Sequence, residues 1–220
     1  MLFRSTFGPN DFLFILAAAR WTITLSLIAF VGGAVGGLAV ALSRTSEIAW
    51  LRHVSATFIQ VFQGTPLLLQ LFLIFFGAPV LGIDINPWIA AGAALILNSA
   101  AFLGEIWRGC IEAIPRGQWE AADSLSLSYR DRMRDVILPQ AIRIAVAPTV
   151  GYMVQIIKGT SLAAIIGFTE ITRAGQIINN ATFQPLIVFS AVAAIYFVLC
   201  WPLSLVAAGI ERRHRKALAR

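Results

Sequence analysis

Three closely spaced polar side chains interrupt a largely apolar tract in the second half of the chain. Lys158, Thr160 and Ser161 lie near the end of this tract, which runs from Val136 to Gly167. An ammonium group next to two hydroxyl donors suits a carboxylate ligand, because all three groups can donate hydrogen bonds to it. A charge inside an apolar span indicates a functional site by default. The alternative interpretation is a lysine whose long side chain reaches the membrane surface.

A second pair of polar residues lies in the preceding apolar tract. Asn98 and Glu105 are seven positions apart, so on a helix they share one face. We expect that face to point into a bundle of helices, since polar side chains are costly in lipid. Glu105 could bind the amino group of a ligand or lie beside Arg108 in a structural role, and we favour the structural role slightly.

A third pair, Gln63 and Gln70, flanks the sequence Gly64-Thr65-Pro66. Proline lacks a backbone N–H and its ring clashes with the preceding helical turn, so this sequence predicts a bend or a loosened helix. The bend could line a pathway or could simply permit packing.

The segment from Glu112 to Asp135 differs from the rest of the chain, because charges of both signs alternate along it. Its apolar residues have helical spacing, and it is longer than a typical connection between helices. A short helix here would expose Glu120 and Asp123, and the small residues Ala121 and Ala122 would let another surface approach closely. The helix could dock on a partner protein or rest on the membrane surface.

Membrane-spanning helices must position these residues. The chain is 58% hydrophobic and 13% charged, and its mean hydropathy is +0.79. Because lipid offers the backbone no hydrogen-bond partners, we interpret its apolar tracts as helices and the chain as an all-α integral membrane protein. Five tracts are each about as long as the roughly 20 residues needed to cross the hydrocarbon core. They cover residues 20–44, 53–84, 85–104, 136–167 and 186–210.

The basic residues predict the orientation of these five spans. Most of them lie in segments 43–55 and 105–135 and in the tail after Ile210, whereas segments 77–87 and 169–185 contain only Arg173. Basic loops remain in the cytoplasm, so the N-terminus should be periplasmic and the C-terminus cytoplasmic. This topology explains the net charge of +6 without a nucleic-acid partner.

No motif for catalysis or for metal binding is present in the sequence. Cys110 and Cys200 fall in different parts of the predicted topology and are interpreted as small hydrophobic residues. His53 and His214 lack the spacing of metal ligands. No stretch matches a phosphate-binding P-loop, so this chain should not hydrolyse ATP itself.

Four stretches, in order and in register, resemble one family of transport proteins. The alternating-charge segment is similar to the EAA loop of bacterial ABC-importer permeases, and the whole pattern resembles the histidine, glutamine and arginine permease-like members. The likeness extends from about Trp21 to Glu211. The stretches are Gln63–Gln70, Glu105–Gly109, Glu120–Ala122 followed by Leu125 and Ile137–Pro139, and Lys158–Leu162.

The resemblance implies the type I importer fold, with one transmembrane permease domain over residues 1–220 and a coupling segment at about 112–138. It also implies two permease subunits side by side in the bacterial inner membrane, the second being a copy or a related chain. Two cytoplasmic ABC ATPases would hold ATP and Mg, so this chain would carry no cofactor and no catalytic residue. A periplasmic or lipid-anchored binding protein would deliver the amino acid.

The same resemblance implies two groups of functional residues. The residues that contact the ATPase would be Glu120, Ala121, Ala122, Asp123, Leu125 and Ser126. The residues of the substrate pathway would be Lys158, Gly159, Thr160, Ser161, Glu105, Asn98 and Gln63.

Two positions depart from the family pattern. Ser126 stands where the family usually has glycine, and serine reaches a positive φ only at a cost, so the turn is expected to be displaced or strained. Gly159 stands where the family commonly has an acidic residue, which removes a negative charge from the expected pathway. The chain could therefore also be an assembly subunit without a substrate site of its own.

A second class of function is a self-contained channel or secondary transporter. Lys158 and Glu105 would then form a gating or ion-coupling pair. Such a protein has little use for a docking helix, so the alternating-charge segment argues against this alternative.

Overall fold

The computed structural model describes residues 6–218, with side chains described up to residue 213. Every regular element within these residues is helical. A π-helical turn covers Arg132–Ile137, and a 3-10 segment covers Thr160–Ile166. The α-helices are α1 (Pro9–Arg44), α2 (Ala49–Gly64), α3 (Leu67–Val80), α4 (Pro87–Glu112), α5 (Arg116–Ser124), α6 (Tyr129–Asp131), α7 (Leu138–Gly159), α8 (Ile171–Thr182) and α9 (Pro185–Leu218).

Four helical runs within residues 6–218 are long and apolar enough to cross a membrane unaided. They are Pro9–Arg44, Pro87–Glu112, Tyr129–Ile166 and Pro185–Arg213. Helices α2 and α3 meet the same criterion only as a pair, and they are bent by 100° where they join. The predicted all-α membrane fold is confirmed, and its five spans are found when the bent pair is counted as one.

The break between α2 and α3 follows from Pro66. The preceding residue, Thr65, is extended with φ −114° and ψ 139°, because the proline ring disfavours the helical region there. Pro66 itself has φ −60° and ψ 135°, and it has no N–H to continue the helical hydrogen bonds. The bend predicted from Gly64-Thr65-Pro66 is confirmed. The apolar tract 53–84 is therefore two helices rather than one straight span.

Small residues bring α1 and α4 close together. A methyl group added to Gly36 would lie 2.9 Å from Cβ of Ala100, and one added to Gly37 would lie 3.0 Å from the backbone nitrogen of Gly104. Such small-residue contacts allow two helix backbones to approach closely in a membrane. The tight contact places α4, which carries Asn98, inside the bundle.

A separate apolar cluster anchors the segment that contains α5. It joins the end of α4 to the π turn and the start of α7. Its buried members are Ile111, Ile114, Met133, Ile137 and Ala141. The short helix α5 thus lies against one end of the bundle, which we call the α5 end.

Candidate coupling surface and polar sites in the bundle

Helix α5 presents a mixed polar and apolar surface at the α5 end. Glu120, Ala121 and Asp123 are exposed, and Leu125, directly after the helix, is 74% exposed. The predicted exposure of Glu120 and Asp123 is confirmed. Ala122, in contrast, is only 2% exposed, because it faces the protein. Of the two alanines expected to admit another surface, only Ala121 can do so.

Ser126 terminates α5 in a left-handed conformation, with φ 53°. Its N–H donates to the carbonyl of Asp123 at 2.9 Å, and the N–H of Leu127 donates to the carbonyl of Ala122 at 3.3 Å. These two bonds form the Schellman motif that commonly ends helices, usually with glycine at this position. The turn is therefore not displaced: Ser126 adopts the conformation of the glycine that it replaces and bears the strain.

Arg132 is the best-connected side chain beneath α5, and no sequence pattern singled it out. Its guanidinium bonds to Asp123 of α5 and, at 3.2 Å, to Glu47 in the turn between α1 and α2. It also lies 5.5 Å from the ring centre of Trp119 and 5.6 Å from that of Tyr129. The pairing with Glu47 spans 85 positions of sequence, so local periodicity could not reveal it.

Lys158 lies in the last turn of α7 and is exposed. Within residues 6–218, no hydrogen bond or ion pair engages its ammonium group. Ser161 is partly exposed, and its hydroxyl donates to the carbonyl of Lys158 at 2.7 Å. Thr160 is fully buried and donates to the carbonyl of Ile157 at 2.7 Å. The expectation that all three groups face a ligand is wrong for Thr160, because the 3-10 segment turns its side chain inward.

Gly159 faces the interior of the bundle. A methyl group added here would lie 3.2 Å from Cδ2 of Leu67 in α3 and 3.5 Å from Cδ2 of Leu95 in α4. An acidic side chain at this position would project toward these two leucines. The small residue thus permits close packing next to the break between α2 and α3.

Gln70 and Asn98 form a buried polar cluster at that break. Their side chains are joined by a 3.2 Å bond from Nδ2 of Asn98 to Oε1 of Gln70. Nε2 of Gln70 donates to the carbonyls of Phe62 and Thr65 at 2.8 and 3.1 Å. The broken end of α2 leaves such carbonyls without helical partners, and lipid cannot supply any. The inward orientation predicted for Asn98 is confirmed, and its bonds serve the fold.

Gln63 and Glu105 lie apart from that cluster. Gln63 is exposed, and its Nε2 makes one long contact of 3.4 Å with the carbonyl of Ala101. Glu105 accepts two hydrogen bonds from Arg108, at 2.8 and 2.5 Å. This is the structural role beside Arg108 that the sequence favours slightly. Arg108 also bonds to Glu112. The charge of Glu105 is therefore already balanced within α4.

Lys158 and Glu105 are too far apart to form a gating pair. Tyr152 of α7 contacts Asn98 of α4 at 3.4 Å, which sets the relative level of the two helices. From this level Lys158 is six residues toward one end and Glu105 is seven residues toward the other. At about 1.5 Å per residue, the two charges are separated by roughly 20 Å along the bundle. This separation removes the basis of the channel alternative.

Two further polar features were missed at the sequence level. The first is a set of exposed polar side chains on α2 and α7. On α2, His53, Thr57 and Gln60 follow one face at helical spacing, and on α7, Gln155 is exposed one turn before Lys158. Within the described residues, the side chains of Gln60 and Gln155 have no hydrogen-bond partner. The helical spacing from His53 to Gln60 could have revealed the first feature.

The second missed feature is the fully buried carboxylate of Glu170, which caps α8. It accepts hydrogen bonds from the backbone N–H groups of Thr172 and Arg173, at 2.9 and 2.8 Å, and from the hydroxyl of Tyr196 at 2.6 Å. Burial raises the pKa of Glu170, although these three bonds oppose the shift. The group thus ties the start of α8 to α9. No cluster of three potential metal ligands occurs among residues 6–218.

Transport permeases are among the known proteins that this chain is similar to. Residues 33–216 match the family described as binding-protein-dependent transport system inner membrane component. The L-cystine transport system permease protein TcyB of Bacillus subtilis (strain 168) is 37% identical over 91% of this chain and 86% of that protein. The glutamine transport system permease protein GlnP of Escherichia coli (strain K12) is 37% identical over 90% of this chain and 92% of that protein.

A solved structure agrees with this pattern. A chain from the crystal structure of an amino acid ABC transporter with histidines superposes with a TM-score of 0.85 and 35% identity, covering 91% of this chain and 94% of that one. The shared architecture is the type I importer permease fold, which accounts for the apolar spans found here. The chain therefore belongs to the binding-protein-dependent transport system inner membrane components and is the permease component of an amino-acid ABC importer.

Proposed function

We propose that α5 is the docking helix through which this permease is driven by a cytoplasmic ATPase. The observation that carries the proposal is the exposed surface of Glu120, Ala121, Asp123 and Leu125 on a helix fixed by a Schellman turn and a buried cluster. An exposed leucine beside two carboxylates suits a protein partner with an apolar pocket and basic rim. The polar face of a helix that rests on a lipid surface is typically rich in lysine and arginine, whereas the exposed charged groups of this surface are acidic.

The assembly that follows contains two permease subunits, each above one ATPase. The second permease is another copy of this chain or a related chain, and a binding protein docks at the end opposite α5. With the α5 end in the cytoplasm, the N-terminus is periplasmic and the C-terminus cytoplasmic. ATP and Mg are held by the partner ATPases, and this chain contributes no catalytic residue.

The transported substrate is an amino acid, whose carboxylate meets Lys158. Two relatives are named for glutamine and L-cystine, and the similar solved structure is of an amino acid transporter with histidines. Lys158 supplies an ammonium group without a hydrogen-bonded partner in the described residues, and Ser161 lies beside it. Gln60 on α2 and Gln155 on α7 also carry amides without a hydrogen-bond partner in the described residues. Unpaired polar groups at membrane depth indicate a water-filled pathway.

The decisive experiment is ATP hydrolysis by the full complex in lipid vesicles. The chain is co-expressed with the ATPase and binding protein encoded beside it, and hydrolysis is measured with each candidate amino acid. Stimulation only when the binding protein and one amino acid are both present would support the proposal and identify the substrate. A stable permease that recruits no ATPase would refute it.

The proposed contact between Lys158 and the substrate carboxylate is tested by substituting methionine, which keeps the length of the side chain but removes its charge. Lys158→Met should raise the substrate concentration needed for half-maximal uptake by tenfold or more. The control is substitution of Ile165, an exposed residue of the 3-10 segment, with methionine, which should change uptake little. Unaltered uptake in Lys158→Met would refute the contact between Lys158 and the substrate carboxylate and would favour a lysine that only reaches the membrane surface.

A further inference from the structure

We infer that Arg132 fastens α5 to the turn between α1 and α2, so that a displacement of α5 is passed directly to α2. The inference rests on the proposed docking role of α5. It adds a polar connection to the α1–α2 turn, beside the chain links of α5 to α4 and α6 and the buried apolar cluster at the α5 end. Arg132 is thus a positioning residue, which acts through α5 and the turn and touches no substrate.

The contacts of Arg132 come from three separate parts of the chain. Asp123 belongs to α5, Glu47 belongs to the α1–α2 turn, and Trp119 and Tyr129 flank the guanidinium from α5 and α6. The planar guanidinium can bond to two carboxylates and stack on aromatic rings at the same time, which lysine cannot do. One side chain therefore holds α5 and the α1–α2 turn in a fixed relation.

Burial distinguishes this arrangement from an ordinary surface ion pair. The side chain of Arg132 is 16% exposed, although those of Asp123 and Glu47 are 55% and 70% exposed. Surface ion pairs are usually weak because both side chains remain mobile in water. Here the two rings restrict the cation, so the carboxylates bond to a group that is already held in place.

A second bond supports the same connection. The hydroxyl of Tyr129 donates to the backbone carbonyl of Thr45 at 3.1 Å, directly after the end of α1. Arg132 and Tyr129 thus reach the α1–α2 turn from the same short segment. Beyond the turn, α2 runs to the break at Thr65 and Pro66, where Gln70 donates to the carbonyls of Phe62 and Thr65 and Asn98 donates to Gln70. A movement of the turn would therefore reach the interior break.

The test compares Arg132→Met with Arg134→Met in the full chain. Arg134 lies two residues away, its side chain is 86% exposed, and among the described residues its only ion pair is with Asp135 at 3.8 Å. Its replacement therefore removes one arginine without removing the connection to Glu47. Backbone amide exchange is followed in lipid nanodiscs over residues 45–50. Exchange there should speed up at least threefold in Arg132→Met and remain unchanged in Arg134→Met. Glu47→Gln, which weakens only the turn's side of the connection, should reproduce the faster exchange.

A merely local role of Arg132 would give a different result. If Arg132 only stabilised α5, exchange would rise in residues 116–125 while residues 45–50 kept the rate of the control, and the inference would be overturned. Should Arg132→Met fail to fold, Arg132→Lys gives the same comparison, because lysine keeps the charge but cannot bond to both carboxylates while stacking.

Transmission of movement from α5 to α2 through Arg132 is tested in the reconstituted complex. The Arg132→Met complex should still contain the ATPase but should hydrolyse several-fold more ATP for each amino acid transported. If the ATP hydrolysed per amino acid equals that of Arg134→Met, the inference that Arg132 transmits movement of α5 to α2 is overturned. Failure of the unmodified chain to recruit any ATPase would refute the proposed function instead. The exchange measurement on the permease alone would still decide whether the connection exists.

Discussion

Replacing Ser126 with glycine should stabilise the end of α5. Ser126 has φ 53°, a conformation that costs an L-residue other than glycine roughly 1–2 kcal/mol. Glycine makes the unfolded chain more flexible, which offsets about 0.4–1 kcal/mol of that gain. The remaining stabilisation of about 1 kcal/mol corresponds to a roughly fivefold shift in the local opening equilibrium, since 1.4 kcal/mol is a factor of ten.

The assay is backbone amide exchange at the C-terminal turn of α5, with the permease in lipid nanodiscs. The informative amide is that of Leu127, which donates to the carbonyl of Ala122. Its exchange should slow about fivefold in Ser126→Gly, because exchange from a local opening reports the stability of that turn. Global unfolding would be less sensitive, since α5 is only nine residues long.

The matched control is Ser124→Gly, the same chemical change two positions earlier. Ser124 is the last residue of α5 and its φ is helical, so glycine there should cost about 0.5–1 kcal/mol and accelerate exchange. Opposite signs at the two positions would support strain at Ser126. Faster exchange in both variants would refute the assignment of that strain and would mean that the Ser126 side chain contributes more than its backbone costs.

Three further predictions concern separate parts of the molecule. Glu120→Lys should leave the protein folded but raise the ATP consumed per amino acid transported several-fold, measured in vesicles. Asn98→Leu should leave Oε1 of Gln70 without its donor and lower the free energy of unfolding by roughly 1–3 kcal/mol, measured by denaturation in detergent. Because burial raises the pKa of Glu170, the start of α8 should be most stable below the ordinary pKa of 4.5 and weaken as the pH rises through the higher folded value. Glu170→Gln should abolish this pH dependence of amide exchange in the first turn of α8.

These three predictions also have clear contrary outcomes. Unchanged coupling in Glu120→Lys would argue strongly against docking through α5. An Asn98→Leu variant as stable as the parent would mean that Gln70 finds another donor. Exchange at α8 that retains its pH dependence in Glu170→Gln, after correction for intrinsic rates, would assign that dependence to another group.

Local chemistry in the sequence was sufficient for the features that depend on a few adjacent residues. Pro66 and its neighbours predicted the break in the second span, because the restrictions of proline act on the residue itself and the one before it. The exposure of Glu120 and Asp123 followed from helical spacing. The strained turn at Ser126 followed from the conformational preference of serine relative to glycine.

Features that depend on pairing between distant residues could not be read in this way. Gln70 and Asn98 are 28 positions apart, and Glu47 and Arg132 are 85 apart, so neither pairing leaves a local pattern. The burial of Thr160 depends on a 3-10 segment that turns the chain inward after α7. Spacing placed Thr160 near Lys158 in sequence, but not on the same surface.

The polar residues at membrane depth divide into two groups according to their hydrogen bonds, and the proposed substrate pathway involves only one of these groups. Gln70 and Asn98 are buried and satisfy the backbone of the broken helix, so replacing them should lower stability first. Gln60, Gln155 and Lys158 are exposed, and no hydrogen bond within the described residues engages their side chains. Unbonded groups contribute nothing to the fold and would be costly against lipid. The proposed substrate pathway would place water and the amino acid against these faces of α2 and α7 during transport.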